Sequence, residues 1–307
     1  MITIVPDYYR EFRCIADKCR HSCCIGWEID IDPATREKYR SVTGAFGKRL
    51  NAAIDDSGEV SFFRLGDAER CPMLNRCGLC DLITALGEEN LCQICADHPR
   101  FRNFFSAHTE LGLGLCCEEA ARLILTREKT MALITLEDNG IDEELSEEEK
   151  ALLALRAELI TRMQDRTRSI EDRLEALLDA VDFTIPDRDW VTVYRGLERL
   201  DPVWDSALDR LALRGLSGRP LAAFDTAFEQ FCVYMLFRHL PGAMEDDDIP
   251  GRTAFCVLST RVLMALCAAE DDCTPGDLIE YARMYSAEIE YSEDNIAALL
   301  DALWEAD

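Results

Sequence analysis

Residues 14–27 read CIADKCRHSCCIGW and place four cysteines, at positions 14, 19, 23 and 24, within eleven residues. Adjacent cysteines do not readily form a disulfide with each other, but both can donate thiolates to one metal centre or to two neighbouring ones. Further cysteines follow in residues 71–80 (CPMLNRCGLC), in residues 92–95 (CQIC) and at positions 116 and 117. This spacing predicts a loop-rich region that is organised around sulfur ligands.

Metal ligation explains these cysteines better than disulfide bonding. The total of fifteen is odd, the first ten residues lack the pattern of a signal peptide, and a chain of 307 residues does not depend on cross-links. Thiolates suit Zn²⁺ or an iron–sulfur cluster. Eleven cysteines precede residue 118, more than one zinc site needs, and their spacings lack the regular pairs of a zinc ribbon. We therefore favour an iron–sulfur cluster, with zinc as the alternative.

The remainder of the first region mixes short strands and helices. Asp32 followed by Pro33 predicts a helix start, because Asp caps a helix and Pro fits its first turn. Other elements are predicted from β-branched and aromatic runs and from an acidic first helical turn. They are strands over residues 59–65 and 131–136, a hairpin from residues 101–105 and 110–115, and a helix over residues 117–125.

After residue 137 the pattern becomes helical, beginning with a capping box at Ser146 and Glu149. Further helices are predicted over residues 170–181, 189–200, 221–240, 253–268 and the last thirty residues. Apolar spacing places the later cysteines, such as Cys232 and Cys256, in a helical core. The predicted fold class is α+β. A cysteine-rich, loop-rich metal- or cluster-binding region, residues 1–137, precedes a mostly α-helical acidic bundle, residues 138–307.

Charge and composition restrict the partners. Residues 131–307 hold 16 basic and 39 acidic side chains, so they carry −23 of the formal net charge of −26. Such a field repels nucleic acid and attracts basic surfaces. Apolar residues make up 48% of the chain, which supports a packed interior, but the apolar run 231–237 is too short to span a bilayer. We expect a cytoplasmic protein without a membrane partner, and the sequence does not predict an oligomeric state.

Several common catalytic motifs are missing from the sequence. It contains no GxxxxGK[ST] loop, no GxGxxG after a strand and no GxSxG elbow. Gly112 and Gly114 are interpreted as part of a flexible strand. Nucleotide triphosphate hydrolysis, a conventional dinucleotide fold and serine hydrolysis therefore have no support from motifs.

The cysteine pattern resembles that of the flagellin lysine-N-methylase family, and the resemblance covers roughly residues 6–125. It is carried by Pro6-x-Tyr8-x3-Phe12-x-Cys14, Cys19-x3-Cys23-Cys24-x-Gly26-Trp27 with Asp32, Cys71-Pro72-x-Leu74-Asn75 with Leu79-Cys80, Gly87-Glu88, Cys95 with Pro99-Arg100, and Cys117-x-Glu119-Ala120-Ala121-Arg122. Beyond residue 140, only residues 228–240, with Tyr234, Arg238 and His239, show a faint similarity to the family.

The resemblance implies an enzyme that transfers methyl groups from S-adenosylmethionine to lysine side chains of a flagellin-like protein and contains an iron–sulfur cluster of the 4Fe–4S type. The metal ligands that it implies are Cys14, Cys19, Cys23, Cys24, Cys71, Cys80, Cys95 and Cys117. In this interpretation Cys77, Cys92 and Cys116 are additional cysteines. The family's usual proline after its last cysteine is replaced here by Glu118.

The sequence does not identify the catalytic residues. A lysine must be neutral to attack a methyl group, so a base or a desolvated pocket is needed. The candidates for the base are Glu119, Asp97, Tyr8 and Tyr234. Arg100 and Arg122 lie beside predicted ligands and could neutralise the cluster charge or hold a carboxylate. Ordinary salt bridges are the alternative.

A different class of function is also open. In a non-enzymatic interaction protein, zinc or a cluster would serve only to stabilise a loop-rich region. A redox role based on Cys92-x2-Cys95 has little other support in the sequence.

Overall fold

The structure is a computed structural model that describes residues 2–26, 28–140, 143–214 and 221–305. These residues form an α+β fold, as predicted. Their strands are β1 (Ile2–Pro6), β2 (Asp30–Ile31), β3 (Ile54–Asp55), β4 (Ser61–Phe63), β5 (Arg100–Phe104), β6 (His108–Leu113) and β7 (Leu133–Asp138). Their α-helices are α1 (Pro33–Ser41), α2 (Gly44–Ala52), α3 (Asp81–Leu86), α4 (Gln93–Asp97), α5 (Glu118–Leu125), α6 (Glu147–Met163), α7 (Ile170–Ala180), α8 (Trp190–Gly196), α9 (Val203–Arg214), α10 (Asp225–His239), α11 (Ala243–Asp246), α12 (Ile249–Ala269), α13 (Pro275–Tyr285) and α14 (Glu293–Trp304).

The chain divides into two compact units. Arg13–Arg100 form the cysteine unit, which holds nine of the cysteines, and Met1–Phe12 together with Phe101–Asp307 form the helical unit. This division differs from the predicted regions 1–137 and 138–307. It differs because the first strand of the chain belongs to a sheet whose other strands come from residues 100–138.

The sheet of the helical unit has the strand order β5-β6-β1-β7. β1 is parallel to β6, with Ile2 opposite His108, and antiparallel to β7, with Val5 opposite Ile134. The predicted pairing of residues 101–105 with 110–115 is confirmed, because β5 and β6 are neighbours in the sheet. β1 itself is not among the predicted strands. Its sequence ITIVP is short and ends in a proline, which has no backbone donor for a ladder.

The predicted helices of the second region are present, but several ends differ. At the start of α6, the Ser146 hydroxyl accepts from the Glu149 amide at 3.1 Å and the Glu149 carboxylate accepts from the Ser146 amide at 2.8 Å, which confirms the capping box. α8 ends at Gly196 instead of residue 200, and α9 is an addition. The amides of Glu198 and Leu200 are bound by the side chains of Asn295 and Glu288, and these bonds hold residues 198–200 outside a helix.

α12 lies in the core of the helical unit. By length and composition alone this helix could cross a membrane, but 78% of its most apolar window is buried within the protein. Its apolar composition is therefore that of a core helix. Cys232, Cys256 and Cys267 are fully buried in the same core, which confirms their predicted packing role, and Cys273 is half-buried against it.

The cysteine unit is built around a small sheet of order β2-β4-β3. α1 begins as predicted, since the Asp32 carboxylate accepts from the Thr35 amide at 2.9 Å and Pro33 occupies the first turn. The predicted strand over residues 59–65 is shorter and consists of Ser61–Phe63. Buried Ile29, Tyr39 and Phe63 form part of a core that also contains cysteines.

Candidate functional site

Five cysteines from three separate segments meet in the core of the cysteine unit. Cys71 and Cys92 are buried there, and Cys24, Cys80 and Cys95 are half-buried against the same apolar cluster. We call these five residues the cysteine group. Their convergence supports the prediction that the spacing brings sulfur atoms together.

Backbone hydrogen bonds bring the first two segments of the group together. The Cys71 amide donates to the Cys24 carbonyl at 2.8 Å, and Ile25 and Arg70 form an isolated antiparallel bridge beside it. A main-chain turn then returns the chain from Cys71 to Cys80. In this turn Leu74 bridges Cys80, and Gly78 adopts a φ of +77°, a left-handed conformation that favours glycine.

A side chain fixes the tip of the same turn. The Asn75 side-chain oxygen accepts from the amides of Cys77 at 2.9 Å and Leu79 at 3.1 Å, while the Asn75 amide nitrogen donates to Asp81 at 3.0 Å. Asn75 therefore holds the loop between Cys71 and Cys80 without using either thiol. Cys77 lies at the tip of this loop and is exposed.

The third segment presents Cys92 and Cys95 on one short helix. Cys92 is the N-cap of α4, and the side chains of Cys92 and Cys95 are hydrogen-bonded to each other. Asp32 connects this helix to α1, because one of its carboxylate oxygens caps α1 and the other accepts from the Gln93 amide at 2.9 Å. Asp32 thereby positions the helix that carries both thiols.

The thiols of the group influence one another's ionisation. The hydrogen bond from Cys23 lowers the pKa of Cys24 to about 7, with smaller contributions from Ser22 and Arg70. Burial is the main cause that raises the pKa of Cys71 to about 12, and the neighbouring Cys24 and Cys80 contribute to this rise. The Cys92 thiolate and burial raise the pKa of Cys95. Together, the five thiolates would concentrate negative charge in an apolar core, and a cationic metal centre would relieve this repulsion.

The donor chemistry of the group fits a sulfur-ligated centre. However, within the described ranges no set of three or more His, Cys, Asp or Glu side chains is arranged to hold a metal ion. All fifteen cysteines lie in the described part of the chain, and none of them forms a disulfide. The assignment of metal ligands therefore stays a prediction that is supported by donor type and by convergence.

The structure distributes the predicted ligands unequally. Cys24, Cys71, Cys80 and Cys95 belong to the group. Cys14 and Cys23 are exposed, and Cys19, which lies between them in the chain, is half-buried. Cys117 is the N-cap of α5 and belongs to the helical unit. Conversely Cys92, interpreted from the sequence as additional, packs within the group, and its position three residues before Cys95 is the signal that could have identified it.

Burial and hydrogen-bond or ion-pair partners affect whether each candidate base can accept a proton. Tyr8 and Tyr234 are buried, and burial raises the pKa of both hydroxyls, so they stay protonated near neutral pH. Glu119 forms an ion pair with Arg122 at 2.6 Å, and Asp97 accepts from Gln93 at 2.7 Å. The two tyrosines are therefore unsuited to act as the base, and Arg122 is engaged by its own helix.

A buried charged network in the helical unit includes residues that the sequence did not single out. Oε2 of Glu290 accepts from the Tyr234 hydroxyl at 2.8 Å and lies 2.6 Å from Nε2 of His239. Arg238 donates to the Tyr234 hydroxyl at 2.7 Å. Glu290 ends the π-helical turn Ser286–Glu290, an irregularity that is frequently found at functional sites.

The electrostatics of this network keep Glu290 ionised. Burial opposes its ionisation, but Arg238 and His239 outweigh burial and lower the pKa of Glu290 to about 2. Burial also lowers the pKa of His239, so its imidazole is neutral at pH 7. Cys116 is hydrogen-bonded to Tyr291 at the edge of the network. Tyr234, His239 and Glu290 are all buried, and the contacts of Glu290 link the π-helical turn to α10.

Comparison with known proteins identifies relatives over part of the chain. Lysine-N-methylases of Salmonella typhimurium (strain LT2) and Salmonella choleraesuis are each 29% identical over 137 residues, which cover 42% of this chain and 33% of each relative. The flagellar biosynthetic protein FliU of Salmonella muenchen is 28% identical over 140 residues, which cover 42% of this chain and 79% of FliU. The resemblance inferred from the cysteine motifs is therefore confirmed for a segment of the chain.

The extent of this similarity is limited. The chain spans about a third of the length of the two lysine-N-methylases that it matches. No family model matches the chain, and no solved structure matches it.

Proposed function

We propose that this chain is a protein-lysine N-methyltransferase that uses S-adenosylmethionine, contains an iron–sulfur cluster in its cysteine unit and acts on a flagellin-like protein with exposed lysines. The observation that carries the proposal is the similarity to lysine-N-methylases over 42% of the chain. The name of the related flagellar protein FliU supports a flagellar substrate. A cytoplasmic location is part of the proposal.

The cysteine group supplies the ligands in this proposal. Cys24, Cys71, Cys80 and Cys95 are the candidate ligands, and Cys92 is a fifth thiol in the same core. If only three of these thiols held a 4Fe–4S cluster, its remaining iron would supply a place for the amino and carboxylate groups of the methionyl part of the cofactor. Such a place would substitute for the glycine-rich loop that this sequence lacks.

The reaction requires a neutral lysine amine. The ammonium first loses a proton to a base or to solvent, and the nitrogen lone pair then attacks the methyl carbon on the sulfonium. The new N–C bond forms as the C–S bond breaks, and the electron pair of the broken bond remains on sulfur as a neutral thioether. Tyr8 and Tyr234 do not accept this proton, because burial keeps their hydroxyls protonated.

Charge supports a lysine-bearing substrate. Residues 131–307 carry a net charge of −23, and such a field raises the encounter rate of a basic surface. The same field disfavours nucleic acid, which stays excluded from the proposed partners.

A second candidate function is a metal-stabilised interaction protein. It is favoured by the position of Cys71 and Cys92 inside the apolar core, where a metal would stabilise the unit as part of its packing. This alternative predicts a fully ligated metal and no affinity for S-adenosylmethionine.

One series of measurements on the full chain separates the two candidates. The protein is purified without oxygen, and its iron, acid-labile sulfide and zinc are measured before S-adenosylmethionine is titrated by calorimetry. Methyl transfer to purified flagellin monomers is then followed by intact-mass spectrometry. Iron and sulfide in near-equal amounts, cofactor binding and mass increases of one methyl group at lysines support the methyltransferase. Zinc without sulfide, and no cofactor binding, would contradict it and support the interaction protein.

A further inference from the structure

The helical unit contains a cavity whose described lining includes no cysteine and no residue of the Glu290 network. Its volume is about 350 Å³, which lies within the usual range for small-ligand sites. It is formed by the segment after α7, the start of α12 and the end of α14. Its lining includes Asp182, Phe183, Pro186, Pro250, Trp304 and Glu305.

The aromatic part of the lining is both exposed and fixed. Trp304 has 58% of its surface exposed, although its indole Nε1 donates to Oδ2 of Asp248 at 2.8 Å. The Phe183 ring meets it edge to face, with centroids 4.9 Å apart and planes at 84°. Asp248 is itself held, because its Oδ1 accepts from the Gly251 amide at 2.8 Å. A large aromatic surface is therefore held in place while much of it remains in contact with water.

The charge around this surface is negative. Asp182 and Glu305 line the cavity, and Asp248 lies beside the indole. Arg188 offsets part of this charge, since its Nη1 contacts the Ala302 carbonyl at 2.7 Å and the Glu305 carboxylate at 3.4 Å. Trp304 also ends α14, and the C-terminal end of a helix favours cations. Three carboxylates and the C-terminal end of a helix thus lie at or beside the cavity, and one guanidinium offsets part of their charge.

The exposed aromatic surface and the negative charge together indicate which class of ligand the cavity can bind. The carboxylates would repel an anion, and a neutral apolar group would gain nothing from their charge. A cation on a flexible alkyl stem suits both parts, because its charge is attracted to the aromatic face and to the carboxylates while its methylene groups contact the rings.

We infer that this cavity is a docking site for a lysine side chain of a basic polypeptide segment, with the ammonium at the exposed indole of Trp304 and near Asp182 and Glu305. The inference deepens the proposed function, because it rests on the proposed lysine-bearing substrate. It adds a place where the substrate is held by a lysine through charge and aromatic contact.

The test uses the full chain labelled with 5-fluorotryptophan and fluorine NMR. The Trp304 resonance is assigned by Trp304→Phe. The probe is the peptide acetyl-Gly-Gly-Lys-Gly-Gly-amide, and its control replaces the lysine with norleucine, which keeps the alkyl stem and removes the charge. We expect a saturable shift of the Trp304 resonance with the lysine peptide and none with the norleucine peptide.

Matched variants show which side chains bind the peptide. Neutralising both lining carboxylates by Asp182→Asn and Glu305→Gln should weaken binding about threefold to tenfold. Asn suits position 182, where φ is +51°. Phe104→Ala removes another aromatic, 76% exposed and outside the cavity lining, and should leave binding unchanged. Circular dichroism verifies that each variant is folded.

The possible failures are distinguishable. No saturable shift of Trp304, an equal shift with norleucine, or unchanged affinity after neutralisation overturns the docking site. Methylation of flagellin with the same KM in the wild type and in Trp304→Ala also overturns it and leaves the proposed function intact. Peptide binding as expected in a protein that holds no iron and transfers no methyl group overturns the proposed function and retains the site.

Discussion

The backbone amide of Cys71 donates a 2.8 Å hydrogen bond to the carbonyl oxygen of Cys24. This bond joins the first and second cysteine segments through the main chain, next to the bridge between Ile25 and Arg70. Main-chain hydrogen bonding therefore contributes to holding these two segments together, beside any metal that the thiols bind. Metal content and fold are accordingly measured separately in each cysteine variant.

The first prediction compares two cysteines of the same loop. Cys80→Ser should lower the iron and sulfide content to less than half that of the wild type, because Cys80 lies in the cysteine group. Cys77→Ser should leave both contents unchanged, because Cys77 is exposed at the tip of the loop that Asn75 holds. Metal analysis of the anaerobically purified variants measures both. Equal losses in the two variants, or none in either, would contradict the ligand assignment.

From the sequence it could be predicted that cysteines cluster, but not which cysteines form the cluster. Residue spacing identifies thiol donors, but it does not show which donors are buried together. Cys92 belongs to the group because it packs in the same buried cluster as Tyr39. Cys117 belongs to the helical unit. These outcomes depend on long-range packing that no local pattern encodes. The same applies to Glu290, whose partners Tyr234 and His239 lie more than fifty positions earlier in the chain.

The second prediction concerns the buried ion pair between Glu110 and Arg156. Their side chains are almost completely buried, and Arg156 donates two hydrogen bonds to the Glu110 carboxylate. Glu110→Gln leaves a buried guanidinium without its counter-charge and should lower the free energy of unfolding by about 3–5 kcal/mol.

The control for this change is the exposed ion pair between Lys150 and Glu147. Lys150→Ala should change the free energy of unfolding by less than about 0.5 kcal/mol. Urea unfolding followed by circular dichroism at 222 nm measures both variants. Similar midpoints for Glu110→Gln and Lys150→Ala would show that the buried pair contributes no more than a surface pair.

The third prediction concerns Gly112, which the sequence suggested was part of a flexible strand. A Cβ at this position would lie 2.1 Å from Cζ of Phe101, so the glycine accommodates the ring of the neighbouring strand. Gly112→Ala should destabilise the helical unit by about 1–3 kcal/mol through overpacking. Gly196→Ala, where a Cβ meets nothing within 4 Å, is the matched control and should be neutral.

A double-mutant cycle identifies the cause of this effect. In a Phe101→Leu background the smaller side chain relieves the contact. Gly112→Ala should therefore lower the stability of the protein less in this background than in the wild type. Thermal unfolding of the four proteins gives the coupling. Strict additivity would mean that the Phe101 ring is not what disfavours a Cβ at position 112.

The fourth prediction is an acid-dependent loss of stability from Glu290 and His239. The pKa of Glu290 is lowered from its ordinary 4.5 to about 2, and that of His239 is lowered from 6.5. A lowered pKa means that the unfolded chain binds protons at a higher pH than the folded chain does. The contribution of Glu290 is therefore complete above pH 4.5 and is lost as the pH falls towards 2, and that of His239 begins to fall below pH 6.5.

For Glu290 this difference corresponds to about 3 kcal/mol of stability at neutral pH. Glu290→Gln should flatten the dependence of the unfolding free energy on pH between 4.5 and 2, whereas Glu147→Gln, at an exposed position, should leave the curve unchanged. Urea titrations at several pH values measure how the unfolding free energy of each variant depends on pH. An unchanged slope in Glu290→Gln would contradict the role of Arg238 and His239 in holding this carboxylate ionised.

The regular elements of the helical unit were predicted more accurately than their ends. Capping residues such as Ser146 mark a helix start locally, which is why α6 begins where the sequence indicates. The end of α8 depends on two side chains that lie much later in the chain. Asn295 accepts from the amide of Glu198, 97 residues earlier, and Glu288 accepts from the amide of Leu200, 88 residues earlier. The exposed position of Trp304 also depends on distant residues, because Asp248 and Phe183 hold its side chain there.

The placement of β1 between β6 and β7 determines an order of events during synthesis. Residues 2–6 leave the ribosome before the whole cysteine unit, and their partner strands, residues 108–113 and 133–138, leave it afterwards. Pairing over such a sequence separation is slow and must wait for the later strands. All five members of the cysteine group have therefore been translated before the sheet can close. On the nascent chain, the thiols of the cysteine group are therefore present before the first strand can pair with its neighbours.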